Sequence, residues 1–323
     1  HTTVTKYTIT LANGKESDLE EYLTSLKGID EKHIKLRLLN ESIEKGYTEA
    51  VRIIVKSLGD KVLPKGHEVS PIIYAVITNQ LHMLEILVES GFSVKEAEKK
   101  YPKYPLLAGS IHENNTDMAF FLIESGAMTD CEDKASQATP FNLAYLNDEN
   151  IALMKAILNK KVNFKNKYNQ IAAIMSHDPE IVQGLIDSGE DLNITGYEED
   201  ELFLLTLVRM SDFPREIIKA LINAGANPFH KSNEALTIEY IVHLKDYDLL
   251  NFLLDSKSYE AQFQLHGRKL AKHAINNKDI EPLRILKLNN VKMSDANFSA
   301  GDYAKKIYGE NSEIYQFIIK EKI

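Results

Sequence analysis

The chain has 323 residues, 44% hydrophobic and 26% charged, with a formal net charge of −9, which is the composition of a soluble globular protein. No apolar run approaches the roughly 18 to 20 residues that span a bilayer, and the single cysteine, Cys131, excludes an internal disulfide framework and any cysteine-rich zinc site. Charge is uneven: residues 113–201 carry 17 acidic and 6 basic side chains, whereas residues 1–112 are balanced, the reverse of the basic stripe that direct nucleic-acid binding needs.

The first 32 residues stand apart. Val4 to Leu11 alternates apolar and polar side chains, Asn13-Gly14 is a turn signal, and Ser17 or Asp18 is placed to cap a helix running through Leu26 and stopped by Gly28. A lone strand is unstable. The segment is therefore expected to cap the first helix pair, to pair with a partner's sheet edge, or to belong to a preceding domain. The chain opens on His1 rather than Met, as expected of a processed fragment, which leaves room for a signal peptide or further domain before it.

From residue 33 onward an apolar anchor recurs at Ile54, Leu87, Leu122, Ile157, Leu185, Leu221, Leu253, Leu286 and Ile318, with a mean step of 33 residues. Such a period marks a solenoid, whose units bury their apolar faces only against neighbours. Pro71, Pro105 and Pro140 suit the first turn of a helix, where no hydrogen bond is lost. Gly91, Gly126, Gly189 and Gly225 suit the left-handed stop that follows.

Four departures stand out. The 28-residue step from Ile157 to Leu185 predicts a shortened loop near Phe164 to Asn169. Lys161 and Lys257 stand where the stopping glycine is expected, so the chain must turn there without it. Lys287 replaces an aliphatic residue, and Pro282 falls inside the same predicted helix, which predicts a weak or kinked stack. The last repeat, Ser299 to Ile323, mixes Lys305, Lys306, Lys320 and Lys322 with Glu310, Glu313 and Glu321, as a closing cap requires, or as a polar export tag.

This plan resembles the ankyrin repeat. The copies that carry the resemblance are Ser70-Pro71-Ile72 with Leu87-Val88-Glu89-Ser90-Gly91, Thr139-Pro140-Phe141-Asn142-Leu143-Ala144 with Ile157-Leu158, Tyr104-Pro105-Leu106 with Leu122 to Ala127, Leu185 to Gly189, and Leu221 to Pro228. The resemblance implies an all-α solenoid of about nine degenerate helix-turn-helix repeats over 33–323 with finger loops, preceded by the strand-helix cap at 1–32. It further implies a binding module with no catalytic residues and no cofactor, located in the cytoplasm, or in a host cell's cytoplasm if the chain is a bacterial effector.

The sequence contains no phosphate-cradling glycine loop, no H-E-x-x-H and no G-x-S-x-G. His266 and His273 lie two helical turns apart, too far to share an ion without a third ligand, so no metal is expected. Cys131 with His112 or His177 could form a nucleophile and base, but Asp130, Glu132 and Asp133 raise the thiol pKa and oppose it.

What remains is recognition by loops on a rigid scaffold. The expected partner is a protein with a basic surface. The expected contacts are Asp130, Glu132 and Asp133 in one finger and Tyr197, Glu198, Glu199, Asp200 and Glu201 two fingers later, with Tyr101, Tyr104 and Tyr168 as aromatic anchors. The same residues could equally keep the solenoid soluble and pack between loops. The alternative function is the recognition arm of a larger enzyme or host-directed effector whose catalytic domain lies outside this chain.

Overall fold

The structure is a computed structural model that describes residues 16–28, 30–63, 69–231 and 235–323. The expected strand at Val4 to Leu11 and its Asn13-Gly14 turn lie outside the described residues. The chain divides into two compact units, 1–172 and 173–323, and the division falls within one helix.

The first unit opens with α1 (Glu16–Ser25), followed by the pairs α2 (Glu31–Glu44) and α3 (Thr48–Ser57), α4 (Pro71–Ile77) and α5 (Leu81–Glu89), α7 (Leu106–His112) and α8 (Thr116–Glu124), and α9 (Pro140–Leu146) and α10 (Ile151–Leu158). A short helix, α6 (Val94–Lys100), lies in the finger between α5 and α7. The first helices of successive pairs stack on one another, as do the second helices, and α1 packs on α3. Because α1 already runs at Glu16, Ser17 and Asp18 lie inside it and do not cap it; Gly28 does take the left-handed conformation, with φ +109°.

The division falls within α11 (Lys167–Met175), and α12 (Pro179–Asp187) follows. Three further pairs complete the second unit: α13 (Phe203–Arg209) with α14 (Arg215–Asn223), α15 (Thr237–His243) with α16 (Tyr247–Asp255), and α17 (Glu260–Asn276) with α18 (Ile280–Leu288); the pair α19 (Ala300–Tyr308) and α20 (Glu313–Glu321) closes it. First helices again stack on first helices, α13 on α15 on α17 on α19, and second on second, α12 to α20.

The periodic anchors explain the stacking. All nine lie in the second helices and are buried, Leu221 being the most accessible at 2%. Each contributes about 1.5–3 kcal/mol through burial of its side chain, and none could be buried by its own helix pair alone. Side-chain amides tie the turns between helices to the preceding repeat: Gln80 donates to the Ile43 carbonyl, Asn147 to the Ile111 carbonyl at 2.7 Å, and Asn115 to Asn79 Oδ1 at 2.7 Å. Asn277 donates in the same way to the His243 carbonyl at 3.3 Å.

The four departures resolve differently. The loop after α10 is short, with only residues 159–166 before α11. At Lys161 the chain leaves the helix without a left-handed residue, the Lys160 and Lys161 N–H groups both donating to the Ile157 carbonyl. Lys257 instead adopts φ +56° despite its Cβ. Left-handed backbone costs a non-glycine residue about 1–2 kcal/mol, so Lys257→Gly is expected to raise the melting temperature of the second unit by a few degrees in thermal denaturation followed by circular dichroism.

The kink expected at Pro282 is absent. Asp279 caps α18 by accepting from Glu281 N, so Pro282 is the third residue of the helix. Its missing N–H is one of the donors that a helix start leaves unpaired anyway. Lys287 is accommodated by reaching the carbonyl of Lys322 at 3.4 Å.

Candidate functional site

In the first unit, two fingers and the first helices beneath them enclose a groove of about 1020 Å³. One wall is the turn that joins α6 to α7, carrying Lys103 and Tyr104; the other is the finger 131–138, carrying Glu132, Asp133 and Lys134. Val76 and Ile77 at the end of α4, His112 at the end of α7, and Leu143 of α9 line it from below.

The Cys131 to Ala138 finger is held by its own sequence. Asp133 Oδ1 accepts from Ala135 N and Oδ2 from Ser136 Oγ, both at 3.0 Å, and its backbone N–H closes on the Ala138 carbonyl at 2.9 Å. These donors hold the Asp133 carboxyl below its ordinary range. Thr139 then starts α9 with a reciprocal cap: its hydroxyl accepts from Asn142 N, and the Asn142 side chain accepts from Thr139 N.

A second layer fixes the finger from behind. Asn166 Oδ1 accepts from Tyr168 N at 2.9 Å and Asn169 N at 3.1 Å, at the start of α11, while its Nδ2 donates to the Gln137 carbonyl at 2.8 Å and to the Glu132 carboxylate. Thr139 Oγ1 donates to Asn169 Oδ1 at 2.6 Å. Three of these residues, Thr139, Asn142 and Asn169, are buried at 5% accessibility or less, where an unpaired polar group would be costly. The short loop foreseen after Ile157 thus supplies the struts of the finger before it.

The expected contact residues sort into two kinds. In the first unit Tyr104 is exposed on the groove wall with Glu132 and Asp133. Asp130 is half-buried and pairs with Lys161 at 3.1 Å. Tyr101 is half-buried at the end of α6, with the Lys100 ammonium 5.8 Å from its ring. Tyr168 stands on the first turn of α11, with Lys167 5.4 Å from its ring, and neither tyrosine lines the groove.

In the second unit Tyr197 to Glu201 form a turn closed by the Thr195–Leu202 bridge and by Gly196 N donating to the Glu201 carbonyl at 2.9 Å. Tyr197, Glu198, Glu199 and Asp200 are exposed. Glu201 points back, 2.6 Å from Arg209 and accepting from Thr206 Oγ1 at 3.2 Å. Sequence reasoning passed over Ile77 and Leu146, which are 62% and 69% exposed. The signal was available: with His112 they are the last residues of three successive first helices, 35 and 34 residues apart, and a helix end is where such a stripe meets solvent.

Cys131 and His112 both line the groove, but the thiol is pushed up to about 11, first by burial, then by the nearby charges of Glu98 and Asp130. A thiol so placed is a poor nucleophile. Glu98 is itself buried under the finger, where its carboxylate accepts from Met128 N at 2.9 Å. Burial raises its pKa and the Met128 N–H works against that rise.

A carboxyl raised in the folded state costs stability once ionised. The cost is absent below the unfolded pKa and grows as pH rises through the folded one. Glu98→Gln keeps an acceptor for Met128, so the variant is expected to melt higher than the parent at pH 8 and at the same temperature near pH 4. A gap independent of pH would refute the assignment.

No group of three or more His, Cys, Asp or Glu side chains able to hold a metal ion occurs among the described residues, and no described helix is long and apolar enough to cross a membrane. No protein-family model matches the sequence. One relative does: a protein of Borreliella burgdorferi named "Putative ankyrin repeat protein", 31% identical over 123 residues. The match spans 37% of this chain and 54% of the relative, so the chain covers about half of that protein's length. Nine helix pairs with buried anchors at the ankyrin period, left-handed stops after the second helices and finger loops between pairs agree with that relative in kind.

The fold is an ankyrin-repeat solenoid. Within it the groove lies where ankyrin fingers meet first helices, and the Tyr197 to Glu201 turn is the corresponding finger of a later ankyrin repeat.

Proposed function

We propose that this chain is a protein-binding scaffold, without catalytic activity of its own, that grips a basic partner segment. The observation that supports this most is the groove of the first unit, where exposed apolar and aromatic surface, Ile77 and Tyr104, lies beside the acidic groups Glu113, Glu132 and Asp133. Apolar anchors with an acidic rim suit a segment with one bulky side chain flanked by lysine or arginine. The Tyr197 to Asp200 turn is a second acidic surface of the same kind. The suppressed Cys131 thiol is in keeping with a binding role.

Asp130, Glu132, Asp133 and Glu201 hold their own loops, so reversing their charge would disturb structure as well as binding. The informative variants are therefore Tyr104→Ala with Ile77→Ser in the groove, and Glu198→Lys, Glu199→Lys and Asp200→Lys together in the turn. A partner would be captured from whole-cell lysate with the parent chain, identified, purified and titrated against each variant. A loss of about tenfold or more, worth about 1.4 kcal/mol, is expected for the groove pair. Unchanged affinity in both variants would remove both surfaces from the account.

A further inference from the structure

In the second unit, α17 departs from its neighbours. It has 17 residues, against 7 in α13 and α15 and 9 in α19, and only residues 256–259 separate it from α16. Where other repeats place a finger, this one continues as helix. The extension is firmly seated: Phe263 is 1% exposed and packs edge-on against Phe229, ring centroids 5.0 Å apart.

The outer face of this helix is unlike the acidic surfaces described above. Leu265, Arg268, Lys269 and Lys272 are all exposed, Leu265 at 78%. Spacings of three and four residues set them in one stripe. Lys269 lies 2.8 Å from the buried Glu239 carboxylate and Arg268 3.5 Å from Asp295. Lys272 has no carboxylate in ion-pair range among the described residues; it lies 5.3 Å from the Phe298 ring and 5.5 Å from that of Tyr303.

We infer that this stripe is a docking face for an acidic polypeptide segment carrying an apolar side chain. Leu265 offers an apolar contact in the middle of three cations, and a partner carboxylate reaching Lys272 would displace no existing ion pair. The charge pattern favours polypeptide over nucleic acid. Glu239 and Asp295 stand among the cations and would repel a uniform phosphate backbone, and Lys272 and Arg268 already cover the Phe298 ring that a base would need for stacking. Discrete carboxylates can be spaced to meet the cations and avoid the acids.

The test uses the full chain and a fluorescein-labelled peptide of about twelve residues, glutamate and glycine with one central leucine, titrated by fluorescence anisotropy at low salt, where charge pairing is least screened. Arg268→Glu with Lys272→Glu is expected to weaken binding at least about tenfold, Arg268→Gln with Lys272→Gln by less, and Leu265→Ser by about fivefold. Lys306→Glu with Lys320→Glu makes the same charge change outside the stripe and is expected to leave affinity within about twofold. Circular dichroism melts matching the parent show that each variant is folded. Equal losses in both double charge reversals, tighter stripe-dependent binding of a single-stranded RNA of equal charge, or no binding by the parent would each overturn the proposal.

Discussion

Gly267→Ala is expected to destabilise the second unit by about 2–4 kcal/mol. A Cβ at this position in α17 would fall 2.1 Å from the Lys292 carbonyl oxygen and 3.0 Å from Val291 Cγ1. The obstacle is backbone, and it cannot yield by changing rotamer. The loop after α18 is clamped there, Gln264 Nε2 donating to the Asn290 carbonyl at 2.7 Å and Lys292 N donating back to Gln264 Oε1 at 2.8 Å. Alanine's better helix propensity returns only about 1 kcal/mol.

Gly109 is the matched control. It also sits within a helix, α7, but nothing lies within 4 Å of an added Cβ, so Gly109→Ala is expected to stabilise by about 1 kcal/mol. Urea denaturation followed by circular dichroism, with hydrogen exchange to assign each transition to a unit, gives both values. A neutral Gly267→Ala would mean that the 290–292 loop can lift off α17 without cost.

The second large effect is expected at Asn166. Alanine there removes the acceptor for two N–H groups at the start of α11 and the donor to Gln137 and Glu132. A lost cap costs about 1 kcal/mol, and each polar group left unpaired away from water costs more, so about 2–3 kcal/mol is expected in all. Asn166→Asp keeps the capping oxygen but sets a second carboxylate against Glu132. It is expected to recover part of the stability at pH 4 and little at pH 8, whereas Asn166→Ala shows no such dependence. Melting curves at the two pH values distinguish them, and a pH-independent Asn166→Asp would show that Glu132 is not held by Asn166. Partner binding in the groove should weaken with both variants, since the finger loses its support.

Much of this architecture is legible in the sequence because burial leaves little choice of residue. The nine anchors must be aliphatic, and Gly91, Gly126, Gly189 and Gly225 do take positive φ. Lys257 was read rightly as a stop without glycine, yet its left-handed backbone could not be read from a lysine. Pro282 was misread for a local reason: a helix start at Asp279-Ile280 puts the proline in the first turn, whereas a later register would put it inside. The length of α17 was not legible, because a run such as Gln262 to Leu265 fits a finger or a helix until Phe263 finds Phe229.

The groove was legible only in part. Tyr104, Glu132 and Asp133 were named and do share it, but the division of the acids into exposed groups and struts depends on contacts with residues about thirty positions away. No local pattern carries that information. The apolar ends Ile77 and Leu146 went unnoticed because an exposed aliphatic residue looks, in sequence, like a core one.

The double tethering of the 131–138 finger bears on the thermodynamics of its binding. A loop that must be ordered by its partner spends conformational entropy at the moment of contact. Here the Asp133 turn and the Asn166 struts have fixed the wall during folding, so a partner meets a surface already in shape. Calorimetry of the complex should then show the negative heat-capacity change of covering Tyr104 and Ile77, without the large entropic penalty that marks folding upon binding.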